Sequence, residues 1–224
     1  MATYTVTIDL NDPDTLAFLV DKSLRVYKSV GTGSTGLPVV WFSENQFSNS
    51  LSFSWTEDYG GFVRDGGAPV PGVNVSNVSS DAMNLGDRLS ATDSGTVSVD
   101  HKGVGGAITV HNTGKRDWMC GMGQIIQSKL SPICAFDLGG IGESVTMMPY
   151  EKVLMVFESS RQVDTGTVVE RAISASCSVE LDGNNLSRTV TFRKDTGWTT
   201  NTAGWVTLND EDLELVDALF VPLS

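Results

Sequence analysis

Few residues in this chain suit acid–base or nucleophilic chemistry, so each one can be weighed. Its two histidines are His101 and His111. A nucleophile needs a base within hydrogen-bond reach. Asp100 stands next to His101, yet neighbours on an extended chain point to opposite faces. There is no Gly-x-Ser-x-Gly turn. Gly31-x-Gly33-x-x-Gly36 has dinucleotide-fingerprint spacing, but that motif must open a helix whose N-terminus meets the pyrophosphate. Here Leu37-Pro38-Val39-Val40-Trp41-Phe42 follows, which reads as strand. Zinc spacings such as Cys-x-x-Cys and His-Glu-x-x-His do not occur. Asn11–Asp14 and Asn209–Asp212 offer oxygen ligands to calcium without EF-hand spacing, and helix capping accounts for them equally well. No catalytic residue or metal ligand is assigned, and the chain is read as a binding protein rather than an enzyme.

The residues that suit binding are soft and aromatic. Trp118-Met119-Cys120-Gly121-Met122-Gly123 combines an indole, two thioethers, a thiol and flexible glycines. Such a mixture can line a pocket for a flat ligand through stacking and sulfur–aromatic contacts; ordinary core packing is the other reading. Trp55 and Trp198 extend the set, so the candidate ligand-binding residues are Trp118, Met119, Cys120, Met122, Trp55 and Trp198. Trp198 and Trp205 sit among Thr, Asn and Gly, where exposed indoles would stack on sugar rings or lipid headgroups. That supports an alternative class, a sugar- or lipid-binding lectin or cytolysin.

The elements that must position these residues are mostly strands. Tyr4, Val6, Ile8 and Leu10 alternate with polar residues, as do Leu51, Phe53 and Trp55 with serines. Asp12 and Pro13 predict a short helix over 13–21. Leu24–Val30 and Leu37–Phe42 read as a hairpin across the Gly31–Gly36 loop. Tyr59–Val63, Trp118–Gln127, Ile133–Leu138, Thr167–Leu181 and Arg188–Lys194 add strands, and Leu85-Gly86-Asp87 adds a turn. Glu151–Glu158 is apolar on both faces and should be a central, buried strand. From Asn209, the spacing of Leu213, Val216 and Leu219 predicts a second helix. Roughly a dozen short, mainly antiparallel strands make the fold all-β, a β-sandwich spanning 1–224 as one domain.

Charge narrows the partners. The formal net charge is -12, from 27 acids against 15 bases, which repels phosphate backbones and argues against nucleic acid. No stretch approaches a membrane-spanning length of apolar residues. The start, Met1-Ala2-Thr3-Tyr4-Thr5-Val6, lacks a basic and then apolar leader, so a cytoplasmic protein is expected. Three cysteines at irregular spacing do not suggest a disulfide framework. Asn74, Asn77 and Asn185 open N-x-S sequons, given no weight without a leader. Val153–Phe157 and Met119–Met122 could feed an oligomer seam, and a homodimer is expected.

The order of patterns resembles a known group. Leu24-Arg25-Val26-Tyr27-Lys28 comes first, then Val40-Trp41-Phe42, and then Asn49–Trp55 with its Phe-x-Trp. A Gly-rich middle follows, then Glu151-Lys152-Val153-Leu154-Met155-Val156-Phe157 and Asp164-Thr165-Gly166-Thr167. This resembles a family of small, leaderless, all-β proteins widespread in mushroom-forming and other fungi. The resemblance implies a protein of fruiting-body tissue that holds a small aromatic pigment, an indole-type or other conjugated chromophore, in an apolar pocket or dimer seam and catalyses nothing. Covalent attachment through Cys120 or Cys134 is a variant of that expectation.

Overall fold

Successive side chains on a strand face opposite ways, and this alternation organises most of the molecule. The computed structural model describes residues 2–75, 78–159, 163–200 and 204–223. The sequon at Asn77 and part of the polar loop after Trp198 lie outside the described residues. The first elements are β1 (Thr3–Asp9), α1 (Pro13–Phe18), β2 (Lys22–Thr32), β3 (Gly36–Pro38), β4 (Phe42–Glu44) and β5 (Ser50–Asp65). Then come β6 (Ser79–Met83), β7 (Arg88–Ala91), β8 (Val97–Asp100), β9 (Ile108–Asn112), β10 (Trp118–Ile126), β11 (Lys129–Pro132) and β12 (Cys134–Leu138). Next are β13 (Ser144–Ser159), β14 (Arg171–Ala172), β15 (Ser176–Glu180), β16 (Ser187–Arg193) and β17 (Gly197–Thr199). The chain closes with β18 (Val206–Asn209), β19 (Leu213–Glu214), α2 (Leu215–Leu219) and β20 (Phe220–Val221).

Two large sheets stack as a sandwich. The first runs β17-β16-β1-β5-β10-β12-β3, with β6 also on β5 and β11 also on β10. The second runs β18-β15-β13-β9-β7-β8; β2 pairs with β13 and carries β4 and β20. Pairing is mostly antiparallel, with β1–β16, β7–β9 and β2–β20 parallel. The inter-sheet core joins Val6, Ile8 and Phe53 of the first sheet to Val26, Val153 and Met155 of the second.

Each sheet also has a covered outer face. Tyr27, Leu154 and Val156 point away from the core and are roofed by Leu215 and Leu219 of α2. Phe62, Met119 and Ala135 point outward from the first sheet beneath Val39, Val75 and Val168. Burial on both sides explains why 153–157 reads as an unbroken apolar run.

Four local expectations change. Of the strand read over 167–181, only Arg171–Ala172 and Ser176–Glu180 are strand. The segments 24–30 and 37–42 form no hairpin. β2 stays paired through Gly31 and Thr32 to Met148 and Met147, the chain crosses to the other sheet as β3 against β12, and β4 then returns to β2. The leucine-spaced tail is split: Leu213 and Glu214 pair with β14, so only Leu215–Leu219 is helical. Asn209 lies in β18 and bonds Ser176 and Ser178 instead of capping. Residues 51–55 and 59–63 belong to one long strand, β5. By contrast α1 starts as expected: Asp12 accepts from Thr15 N at 2.8 Å and Pro13 takes the first helical position, although the helix ends at Phe18.

Candidate functional site

Two structures stand out, a buried polar knot between the sheets and a cleft beside it. The knot centres on Lys28, whose side chain is fully buried. Its Nζ donates to Gln124 Oε1 at 2.6 Å and to Glu151 Oε2 at 2.7 Å. It also lies over the rings of Trp41 and Trp55, at 5.3 and 5.1 Å. Glu151 accepts from Trp55 Nε1 at 2.6 Å and from Tyr59 OH at 3.2 Å, and Gln124 Nε2 donates to the Thr56 carbonyl at 2.8 Å. The register slips at this level twice, between Gln124 and Ile126 in β10 and between Pro149 and Val153 in β13. Such bulges re-aim side chains, and here they flank the residues that reach across the core. Burial pulls Lys28 down to about 8 against the pull of Glu151, and burial first, then Glu151, pushes the Tyr59 phenol up.

The cleft has a volume of about 480 Å³. Phe62, Val75 and Ile126 form its apolar base, with Val78, Leu130 and Pro132 along its sides. Three glycines lie beneath Phe62 and Leu130 of this surface. Gly121 stands opposite Phe62 and Gly123 opposite Gly60, so Gly60, Gly121 and Gly123 share the outer face with Phe62. A Cβ on Gly60 would come within 2.8 Å of Leu130 Cδ2, one on Gly123 within 3.1 Å of Leu130, and one on Gly121 would run into the Phe62 ring. Phe62 and Leu130 thus lie flat on bare backbone. The rim is sewn from four distant segments. Gly166 N donates to Val40 O at 2.7 Å, Val75 N to Gly166 O at 2.7 Å, and Ser131 Oγ to Trp41 O at 2.6 Å. Asn74 Nδ2 donates to Thr165 O at 3.0 Å. This is a preformed recess with an apolar base and a rim of hydroxyl and amide groups.

Fold and site together define a class: an all-β sandwich with a small-molecule-sized cleft beside a buried ionic knot. Comparison with known proteins adds no closer assignment, since no family model, curated protein or solved structure matches the chain.

The six sequence-derived candidates do not converge. Trp118, Cys120 and Met122 point into the inter-sheet core, whereas Met119 points outward into the apolar cluster with Phe62 and Val75. Strand alternation separates them, and the intervening Gly121 stands opposite Phe62 of the cleft floor. Trp55 belongs to the Lys28 knot. Trp198 is buried, stacked on Phe157 with centroids 5.1 Å apart and donating from Nε1 to Ala175 O at 3.2 Å. Trp205 is half-buried under the Arg188 guanidinium. The exposed-indole expectation is therefore corrected: β17 pairing and the Phe157–Phe192 pair draw Trp198 inward. None of the six lines the 480 Å³ cleft.

Burial pushes the Cys134 thiol up to about 12 and the Cys120 thiol well above its usual range, so neither is a ready nucleophile for a pigment. Val153–Phe157 and Met119–Met122, expected at an oligomer seam, are buried within the single chain. His101 pairs with Asp87 at 2.6 Å, not with Asp100, which pairs with Arg88. His111 Nδ1 lies 2.8 Å from Ser144 Oγ, and among the described residues no carboxylate bonds that pair. Also among the described residues, no three His, Cys, Asp or Glu side chains group to hold a metal, and no helix is long and apolar enough to cross a membrane.

Sequence reasoning missed Lys28, Glu151, Gln124 and Leu130. A signal for the first two was present. Arg25 and Lys28 interrupt one apolar strand, and Glu151 and Glu158 bracket another. Bases and acids embedded in apolar strands must pair if both strands are buried. Arg25 does pair with Glu158, as Lys28 does with Glu151.

Proposed function

We propose that this is a non-enzymatic binding protein that holds a small, flat, aromatic pigment in the cleft between Phe62, Val78 and Leu130. One observation carries the reading: a preformed recess of about 480 Å³ with an apolar base on a glycine-bare sheet. That volume lies in the range of small-molecule sites, and a base of ring and aliphatic carbon with a hydroxyl and amide rim suits a conjugated ligand. The resemblance in pattern order, which in appearance extends to the pink chromoprotein of the salmon-pink oyster mushroom, supports the same reading and implies a cytoplasmic protein of fruiting-body tissue. The ligand sits in one chain, because the segments proposed for a dimer seam are spent on the core. Dimerisation is then a separate property, read by light scattering.

The test begins with protein from its native source. It should show a visible absorption band and a mass increment that persists in native mass spectrometry and is lost on denaturation. Released pigment should rebind the recombinant chain but not Leu130→Trp or Ser80→Trp, which fill the recess from opposite sides. Leu130 and Ser80 are exposed, so both variants should keep stability within about 0.5 kcal/mol. A colourless native protein, or rebinding that ignores both substitutions, overturns the reading.

A further inference from the structure

We infer that the cleft selects planar aromatic ligands that carry an anionic group, with the Lys129 ammonium as their counter-charge. This rests on the cleft being the binding site, and it names the chemistry that site prefers.

The first observation is the distribution of charge. The chain carries 27 acids and 15 bases. Yet none of the described residues lining the cleft is acidic, and Lys129 is their only base. Its polar partners on the rim, Ser43, Asn74, Ser80, Gln127 and Thr165, are neutral. Other recesses carry acids: Glu44 and Asp164 line one, Asp58 another, Glu151 and Glu180 beside Lys152 a third, and Asp210, Glu211, Asp212, Glu214 and Asp217 a fourth. On a surface of net charge -12, this cleft is where an anion meets a base without a facing carboxylate. Lys129 is exposed and has no ion-pair partner among the described residues. Its charge is free for a ligand.

The second observation is backbone strain at the same place. Ile126 pairs with Lys129 across a two-residue turn, and both turn residues have left-handed backbones, Gln127 at φ 48° and Ser128 at φ 64°. Hairpin turns of this kind favour Asn-Gly, because a side chain in that conformation carries a cost. Residues kept in such conformations cluster at binding sites. Gln127 lines the cleft, and the turn it forms fixes where Lys129 begins. The tip therefore combines a conformational cost with the cleft's lone base.

A matched pair of dyes tests this: 1-anilinonaphthalene-8-sulfonate, which is anionic, and N-phenyl-1-naphthylamine, the same ring system without the sulfonate. Fluorescence titrations use wild type, Lys129→Met, Lys129→Arg and Leu130→Trp. The sulfonate should bind wild type about five-fold tighter than the neutral dye, as a partly exposed ion pair allows. Lys129→Met should remove that preference and leave the neutral dye unchanged, whereas Lys129→Arg should keep it. Raising salt from about 20 to about 500 mM should weaken only the sulfonate, by screening. Equal affinity for both dyes, or a preference that survives Lys129→Met, overturns the charge assignment while the cleft reading stands. Failure of both dyes to bind, or binding that survives Leu130→Trp, removes the cleft reading itself, and this inference with it.

Discussion

Lys28 is the most deeply buried charged residue among those described, and its surroundings show how the cost of that burial is met. Removing an ammonium from water is expensive unless an opposite charge and hydrogen bonds replace the solvent. Glu151, Gln124 and the faces of two indoles supply these here. The pair behaves as a unit, so removing one member leaves the other buried and unmatched. Lys28→Met should destabilise by about 3–5 kcal/mol, whereas Lys28→Met combined with Glu151→Gln should recover most of the loss. Urea unfolding of the two singles and the double forms the cycle. Additive losses would mean that the ionic contact contributes little and that packing of the aliphatic stem dominates.

The β10–β11 hairpin shows the same economy at the scale of an element. Gln127→Asn with Ser128→Gly gives the turn the residues its backbone asks for, and should raise stability by about 1 kcal/mol, measured by urea unfolding. The same pair should weaken ligand retention, because Gln127 leaves the cleft wall. Elements of this kind also mark how far the sequence could be read. Local patterning exposed β1 and the 51–55 part of β5 by alternation, and β10 and the 151–158 part of the two-faced β13 as apolar runs. It could not show that β2 continues through Gly31 and Thr32, because that depends on pairing with residues more than a hundred positions away. Nor could it show the site. Trp118, Met119, Cys120 and Met122 looked like one constellation because they adjoin in sequence, yet a strand deals its neighbours to opposite faces. Gly121, which stands between Cys120 and Met122, lies against the Phe62 ring at the cleft base, where a Cβ would not fit.

For the whole molecule, the decisive property is how many protons the fold keeps that the open chain would release. Burial pushes Cys134 and Cys177 up to about 12 and Cys120 well above its usual range, against an ordinary value of 9.0. A group raised in this way stabilises fully below its unfolded value and loses that contribution as pH rises toward its folded one. Above about pH 9 the unfolded chain therefore sheds up to three thiol protons that the folded chain retains. Lys28 works in the other direction. It releases its proton near 8 in the fold but keeps it to 10.5 when unfolded, so it offsets one thiol across that window. The net of two protons makes stability fall by about 3 kcal/mol per pH unit above pH 9. Tyr4, Tyr27 and Tyr59, all raised chiefly by burial, steepen the decline beyond pH 10. Urea unfolding under reducing conditions at about pH 7, 9 and 10 measures this slope. Cys177→Ala should flatten it by about 1.4 kcal/mol per pH unit whatever it does to stability at neutral pH, and Lys28→Met with Glu151→Gln should steepen it by a similar amount. A wild-type profile level to pH 10, or a slope that Cys177→Ala leaves unchanged, would mean that the buried thiols do not set the alkaline limit of this fold.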